Sequence, residues 1–196
     1  MDLRDLEVVS WDVDGTLYSR PRMIRALVMR GLVHPIAALR AIGTLERFRR
    51  EMQRARKRGG VLPAPVARDR AVEARWYGPA IARAGVRPGV RELTAHFAAR
   101  GLRQVVLSDY HADYKLEALG LGGAFERAYA GEALGFLKPA AELFAAVTRA
   151  LAVPPERILH IGDRADTDGA AVAAGWRVVI LGRDVDEPRD LLRALT

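Results

Sequence analysis

Near its start the chain reads Val8-Val9-Ser10-Trp11-Asp12-Val13-Asp14-Gly15-Thr16-Leu17. β-Branched and aromatic residues run directly into two aspartates, which predicts a buried strand over residues 7–11 with Asp12 and Asp14 just past its end. Alternate side chains of an extended segment share one face, so both carboxylates are expected to point at one site. One carboxylate can attack a phosphorus atom while the other handles the proton. Taken alone, the stretch also fits a strand followed by an ordinary Asp-rich turn.

The composition is that of a globular protein. The chain has 196 residues, of which 50% are hydrophobic, and this is enough for one core or for a core with an insertion. It has no cysteine, which excludes disulfides and thiolate metal sites. No apolar run is long enough to span a bilayer, and the first residues do not resemble a signal peptide, so we expect a cytoplasmic protein.

The net charge of +7 is distributed unevenly along the chain. Residues 18–91 hold 18 Lys or Arg against 4 Asp or Glu, whereas the remainder holds 13 against 20. Two segments of opposite charge suggest two structural units. The basic segment contains a cluster that we call the basic run: Arg49, Arg50, Arg54, Arg56, Lys57 and Arg58.

The order of the predicted elements indicates an α/β fold. Helical spacing covers residues 21–58, with an interruption near His34-Pro35, and residues 66–84, with a kink or break at Gly78-Pro79. A loop is expected between them at residues 61–65. After residue 87 strands alternate with helices, which predicts a parallel sheet covered by helices on both faces.

The boundaries predicted for the sheet and its covering helices follow from periodicity and from Gly and Pro positions. Strands are expected at residues 7–11, 104–107, 128–130, 157–161 and 176–181. Helices are expected at residues 90–100, 112–119, 139–151, 167–174 and 188–195, with Pro139 in a first turn, where proline is tolerated.

Four loops carry residues suited to chemistry, and three of them directly follow predicted strands. They are Asp12-Val13-Asp14-Gly15-Thr16, Ser108-Asp109, Lys138-Pro139, and Gly162-Asp163-Arg164-Ala165-Asp166-Thr167-Asp168. In content and order they resemble the four motifs of the haloacid dehalogenase-like hydrolases, most of which are phosphatases. That resemblance implies a Rossmann-like core from residues 1–17 and 87–196. It also implies that residues 18–86 form an inserted helical cap.

The resemblance assigns a role to each motif residue. Asp12 would be the nucleophile that forms an aspartyl-phosphate, and Asp14 the general acid and then the base. Thr16 and Ser108 would hydrogen-bond the phosphoryl group, with Asp109 beside them, where the family more often has Asn. Lys138 would steady the nucleophile and the phosphoryl group.

The same resemblance implies a Mg²⁺ site. Its ligands would be Asp12, the backbone carbonyl of Asp14 and Asp163, while Asp168 would bind the metal or orient its ligands. Oxygen ligands of this kind suit a hard cation. Four carboxylates at one site repel each other without counter-charge. With Mg²⁺ and Lys138 present, the site would be neutral if Asp14 were protonated, as leaving-group protonation needs.

Several residues have structural alternatives to these roles. Lys138 would otherwise be an exposed helix start. Arg164, where the family often has a small hydroxyl residue, would either add positive charge near the phosphate or pair with Asp166. His160, inside a predicted strand, is expected to be a packed core residue, and Trp176 is expected to be core as well.

The sequence favours a phosphatase acting on a small phosphorylated metabolite, but other functions remain open. A phosphomutase would use the same residues. A dehalogenase is disfavoured, because its chemistry needs the nucleophile but not a second acid such as Asp14. A non-catalytic module would use its basic insertion to hold an acidic partner.

The basic run adds a question about substrate and partners. Its arginines would either form a solvated helical face or receive a substrate with additional anionic groups, such as a nucleotide or a bisphosphate. Docking of nucleic acid or anionic lipid is a weaker alternative, because few aromatic residues lie among the basic ones.

Overall fold

A five-stranded sheet forms the centre of the protein. The computed structural model describes residues 5–62 and 69–195. The strands are β1 (Val8–Trp11), β2 (Arg103–Ser108), β3 (Arg127–Ala130), β4 (Ile158–Gly162) and β5 (Arg177–Ile180). All neighbouring strands are parallel, in the order β3-β2-β1-β4-β5, which confirms the predicted Rossmann-like α/β sheet.

The described part of the chain contains eight helices. They are α1 (Arg20–Val33), α2 (Pro35–Lys57), α3 (Arg70–Ala84), α4 (Val90–Ala99), α5 (Asp113–Ala118), α6 (Gly131–Leu134), α7 (Ala141–Leu151) and α8 (Pro188–Leu195). Short 3₁₀ segments lie at Pro155–Arg157 and Asp168–Ala174. None of the described helices combines the length and apolar character that crossing a membrane requires.

The side chains of the strands alternate between two cores. On β1, Val9 and Trp11 pack in one buried cluster with Phe97 of α4, whereas Val8 packs in a second cluster with Phe144 of α7. This is the period of two that a strand buried on both faces requires. The sheet is therefore covered by helices on both faces, as the alternation of strands and helices predicts.

Helices α1, α2 and α3 are inserted between β1 and β2. Of the residues of α1, Ala26 is the buried one, and the helix packs mainly against α3. Arg30 of α1 lies over the ring of Trp76 on α3, at 5.1 Å from its centroid. The far half of α2 instead contacts the core, where Phe48, Met52 and Ala55 pack with Leu137.

Three predicted details are wrong. Pro139 lies outside α7, because that helix begins at Ala141 and the Lys138-Pro139 peptide is cis. Of the kink or break predicted at Gly78-Pro79, the break is absent, because α3 continues through Pro79 and packing of Trp76, Ala80 and Ile81 offsets the lost hydrogen bond. The helix predicted at 167–174 is a 3₁₀ segment at Asp168–Ala174.

The other predicted boundaries agree to within three residues where the structure describes them. The interruption predicted at His34-Pro35 is present, since α1 ends at Val33 and α2 begins at Pro35. Parts of the predicted loop at residues 61–65 and of the helix start at residue 66 lie outside the described residues.

Candidate active site

The candidate site lies at the carboxyl ends of the three central strands. Strand β1 pairs with β2 on one side and with β4 on the other, so the residues that follow these strands meet at one edge. Asp12 follows β1, Ser108 ends β2, and Asp163 follows β4. The predicted motif residues that follow strands are therefore neighbours in space.

Lys138 bridges two of the aspartates. Its ammonium group donates to Oδ1 of Asp12 at 2.5 Å and to Oδ1 of Asp168, and all three side chains are buried. The alternative of an exposed helix start is thereby wrong. The segment that carries Lys138 is held by α2 and the turn that follows it, because Leu137 packs against α2 and the Leu137 N–H donates to the carbonyl of Gly60 at 2.7 Å.

The pKa values show how the charges at this bridge interact. Burial raises the pKa of Asp12 to about 7, although the Lys138 ammonium partly opposes the shift. Burial also favours the neutral form of Asp168, but the Lys138 ammonium and the hydrogen bond from His160 outweigh it, and the pKa of Asp168 is lowered. Neighbouring positive charge therefore compensates the ionised form of Asp168, whereas it compensates that of Asp12 only in part.

Three carboxylates form a cluster suited to a cation. Asp12, Asp163 and Asp168 each offer an oxygen, and these oxygens lie within 4.8 Å of one another. Oδ1 of Asp163 is buried and has no hydrogen-bond partner in the described structure. Burial also raises the pKa of Asp163. A hard oxygen-preferring cation such as Mg²⁺ fits this donor set, because it would satisfy Asp163 and favour the ionised form of Asp12.

Gly15 makes this arrangement sterically possible. Its φ angle is +109°, and a Cβ atom there would lie 2.0 Å from Oδ2 of Asp163. The glycine of the first motif therefore lets the chain turn and also leaves space for the carboxylate of the fourth motif.

Asp14 faces a different set of partners from the other three carboxylates. Lys115 of α5 donates to its two oxygens at 2.7 and 2.6 Å, and the hydroxyl of Tyr18 donates to Oδ1. Burial opposes ionisation, but Lys115 and Tyr18 outweigh it and the pKa of Asp14 is lowered. The surroundings of Asp14 therefore favour its ionised form, and the proton that leaving-group protonation needs would have to be gained against the charge of Lys115. The backbone carbonyl of Asp14 accepts from Arg20 Nη2 at 2.6 Å.

The predicted phosphate-binding residues lie around Asp12. The Thr16 hydroxyl donates to Oδ2 of Asp12 at 3.2 Å, and the Ser108 hydroxyl accepts from the Tyr110 N–H at 3.3 Å. Both oxygens of Asp109 are engaged, one by the Lys138 N–H and the other by Arg56, each at 2.7 Å. Asp109 therefore connects α2 to the loop that carries Lys138.

The sequence of the chain matches one family model over most of its length. The model is that of the haloacid dehalogenase-like hydrolases, and it matches residues 6–175. The chain belongs to this family. No curated protein matches the chain in a sequence comparison.

Solved structures of other haloacid dehalogenase-like hydrolases share the fold. L-2-haloacid dehalogenase from Xanthobacter autotrophicus is 19% identical, with a TM-score of 0.65 over 96% of this chain and 83% of that one. CbbY from Rhodobacter sphaeroides, in complex with phosphate, is 21% identical, with a TM-score of 0.61 over 92% and 88%. YfnB, a HAD-hydrolase of Bacillus subtilis bound to magnesium, is 16% identical, with a TM-score of 0.68 over 97% and 99%.

The structure of this hydrolase adds site residues that the motifs do not contain. Besides Lys115 and Tyr18, these are Arg20, whose Nη2 is 3.9 Å from Asp163, and Arg56. His160 is a buried core residue, as predicted, but it also links Ser10 to Asp168, at 3.1 and 3.2 Å. Ser10, which interrupts the apolar pattern of β1, was the one available signal for this link.

The remaining predicted residues are also placed. Trp176 is buried, and its indole N–H donates to the hydroxyl of Thr148 at 2.8 Å. Arg164 donates to Oδ1 of Asp166 at 3.0 Å and also lines the cavity above the carboxylates. Both alternatives considered for Arg164 are therefore compatible with its position.

Proposed function

We propose that this hydrolase is a Mg²⁺-dependent phosphatase that cleaves a phosphate monoester of a small molecule through an aspartyl-phosphate on Asp12. The observation that carries the proposal is the arrangement of Asp12 beside Lys138, with Asp163 and Asp168 close by. A carboxylate nucleophile next to an ammonium group suits attack on an anionic phosphoryl group, because the ammonium offsets the repulsion.

Asp12 would provide the nucleophilic oxygen. Its carboxylate attacks the phosphorus atom, the bond from phosphorus to the ester oxygen breaks, and the phosphoryl group is transferred to Asp12. Thr16, whose hydroxyl donates to Oδ2 of Asp12, holds the carboxylate in position. The hydroxyl of Ser108 and the ammonium of Lys138 would bind the transferred oxygens and stabilise their charge.

Asp14 would move the proton. In the first half-reaction it gives a proton to the departing alkoxide, and in the second it takes a proton from the water that attacks the phosphorus and frees Asp12. Lys115 holds Asp14 ionised in this structure, which suits the second half-reaction. The first requires Asp14 to gain a proton, and the approach of a phosphate dianion favours this because it adds negative charge nearby.

The metal site would be built from Asp12, Asp163 and Asp168, with the backbone carbonyl of Asp14 as a further oxygen. When bound, Mg²⁺ would offset negative charge on the phosphoryl oxygens. Charge balance supports this proposal. Lys138 and Lys115 pair with three of the four carboxylates, and Arg20 lies 3.9 Å from the fourth, Asp163. These three cations leave one negative charge among the four carboxylates, so a divalent cation would give the site a net positive charge that favours an anionic phosphate.

Helices α1 to α3 would act as a cap over this site. We propose the division already expected from the sequence, with residues 18–86 as the cap and residues 1–17 and 87–196 as the core. Support comes from the cavity of about 740 Å³ above the carboxylates, which residues of both parts line. The cap would then select the substrate while the core supplies the chemistry.

The other functions considered from the sequence have less support. A phosphomutase would use the same residues, and no feature of the described structure favours it. A dehalogenase would leave the Asp14–Lys115 pair and the Asp163–Asp168 pair without a chemical role. A binding module for an acidic partner would not need the buried Asp12–Lys138 pair, which is costly to assemble.

Turnover of p-nitrophenyl phosphate tests the proposed function. We expect hydrolysis that EDTA abolishes and that added Mg²⁺ restores. Full activity in a sample shown to be free of metal would rule out the Mg²⁺-dependent mechanism. No turnover at saturating Mg²⁺, in a sample shown to be folded, would rule out the phosphatase.

A further inference from the structure

The cavity above the carboxylates is charged at one end and apolar over most of its remaining length. The core contributes charged residues to the lining, among them Asp12, Lys138 and Asp163. The inserted helices contribute mainly apolar side chains. Apolar residues of α1 and α2 in the lining include Ile24, Leu27, Val28, Ala38, Ile42 and Leu45.

These apolar side chains form one stripe on each of two helices. On α1, the stripe has spacings of three and four residues from Ile24 to Val28 and continues to Gly31. On α2, Ala38, Ile42 and Leu45 follow the same helical rule. Residues at this spacing share one face of a helix, so both stripes face the cavity.

The α2 stripe changes from apolar to polar as it approaches the carboxylates. Beyond Leu45 its cavity-lining positions include Arg49, Gln53 and Arg56, and Arg56 contacts Asp109 at the site itself. The Nε atom of Arg56 is buried with no hydrogen-bond partner in the described structure. The polar end therefore offers cationic groups to a phosphate, whereas the far end offers none.

The distances along α1 agree with this polarity. Arg20 contacts Asp14 at the site, and with a rise of 1.5 Å per residue Ile24 lies ~6 Å, Val28 ~12 Å and Gly31 ~17 Å further along the helix. The walls at these positions are still open to water, since Ile24 is 51%, Val28 58% and Ile42 54% exposed. An apolar chain of a bound ligand that reached these side chains would bury surface that this protein leaves exposed.

We propose that the substrate is a phosphate monoester whose alcohol carries a long unbranched apolar chain, and that this chain lies between α1 and α2. The inference rests on the proposed phosphatase function, because the phosphate is placed at Asp12. From the sequence, the basic run would either form a solvated helical face or receive a substrate with further anionic groups. The apolar lining on the side of Arg49 away from the carboxylates instead favours a substrate whose alcohol portion is apolar.

A series of alkyl phosphates tests this inference. Ethyl, octyl and dodecyl phosphate have leaving groups of nearly the same reactivity. Differences in kcat/KM, measured below the micellar concentration, therefore reflect contacts of the alkyl chain with the protein. Each fully buried methylene is expected to contribute up to about 4-fold. We expect kcat/KM to rise at least 100-fold from ethyl to dodecyl phosphate. A ratio near one would overturn the inference while leaving the phosphatase proposal intact.

Two exposed residues of α2 provide a matched pair of variants. Ile42 lines the cavity, whereas Leu39, which is 71% exposed, does not. Ile42→Asp should lower the ratio of kcat/KM for dodecyl over ethyl phosphate at least tenfold, and Leu39→Asp should leave it unchanged. Equal effects of the two variants would contradict the proposal. So would a dimer in gel filtration that Ile42→Asp separates into monomers, since the stripe would then belong to an interface between copies.

Failure of the phosphatase proposal can be recognised separately. If neither the alkyl phosphates nor p-nitrophenyl phosphate is hydrolysed with Mg²⁺, the proposed reaction is wrong. The proposed binding site for the alkyl chain is then tested by calorimetric titration with ethyl and dodecyl phosphate. Binding at least 100-fold tighter for dodecyl phosphate would support an apolar chain site. Equal binding, or none, would overturn it.

Discussion

Arg56 of α2 donates from Nη2 to Oδ2 of Asp109 at 2.7 Å, and the other oxygen of Asp109 accepts the N–H of Lys138. One carboxylate thus joins the inserted helices to the loop that carries Lys138. Without Arg56, Asp109 would present a partly uncompensated negative charge near the proposed phosphate site. The ion pair therefore couples the position of α2 to the electrostatics of the site.

Arg56→Gln should weaken binding of the phosphate end of any substrate. We expect KM for p-nitrophenyl phosphate to rise about tenfold, as loss of one charge-assisted hydrogen bond permits. Arg54→Gln is the matched control, because Arg54 pairs with Glu51 on the exposed side of the same helix. An unchanged KM in Arg56→Gln would show that the Arg56–Asp109 pair has no part in phosphate binding.

The other members of the basic run differ in their surroundings. Arg50 pairs with Glu46 and Arg54 with Glu51 on exposed faces, whereas Arg49 and Arg56 line the cavity. The sequence showed a basic cluster, but which of its members face the site depends on how α2 packs against Leu137 and Asp109. That packing is a tertiary property, so helical periodicity alone did not separate them.

Gly15→Ala should impair the metal site. A Cβ atom would lie 2.0 Å from Oδ2 of Asp163, so that carboxylate must move. We expect kcat/KM to fall about 100-fold and the apparent affinity for Mg²⁺ to fall with it, as measured by titration of activity with Mg²⁺.

Gly101→Ala is the control for the backbone effect. Gly101 also has a positive φ, of +73°, but a Cβ atom there would meet nothing within 4 Å. This variant should lose about 1 kcal/mol of stability and keep its turnover. If Gly15→Ala retained full activity and Mg²⁺ affinity, the position of Asp163 would not matter for turnover.

Lys115→Met should change the pH dependence of turnover. The ammonium of Lys115 lowers the pKa of Asp14, so its removal raises that pKa. An acid with a higher pKa stays protonated to higher pH. The alkaline limb of the rate profile for an alkyl phosphate, whose leaving group needs a proton, should therefore move to higher pH.

A comparison of leaving groups completes the Lys115 experiment. p-Nitrophenolate needs little protonation, so its alkaline limb should move less than that of an alkyl phosphate. Identical profiles for wild type and Lys115→Met with both substrates would contradict a role of Asp14 as the general acid under the control of Lys115.

The sheet and the motif residues could be predicted from the sequence because the signals are local. A hydrophobic strand followed by Asp12 and Asp14 predicts both the strand and the position of the two carboxylates at its end. Repetition of strand and helix then predicts that Ser108 and Asp163 lie at the same edge of the sheet.

Lys115 could not be predicted in the same way. It contacts Asp14 across 101 residues of sequence, and within α5 it lies two residues before Glu117 in a pattern that also fits a solvated helix. The contact depends on tertiary packing, which places α5 against α3 and buries Leu116 in the same cluster as Trp11 and Val13. The charge count made from the sequence therefore lacked the ammonium of Lys115, which lowers the pKa of Asp14.

In the proposed mechanism, Asp12 carries the phosphoryl group during turnover. The most direct measurement is rapid acid quenching of the enzyme mixed with Mg²⁺ and radiolabelled phosphate ester, followed by peptide mapping of the label. We expect the label on the peptide that contains Asp12. Reduction of the acyl phosphate with borohydride should then mark Asp12 itself. We also expect the Asp12→Asn variant to lose several orders of magnitude in rate. Label on another residue, or an Asp12→Asn enzyme that still turns over at the wild-type rate, would contradict the account.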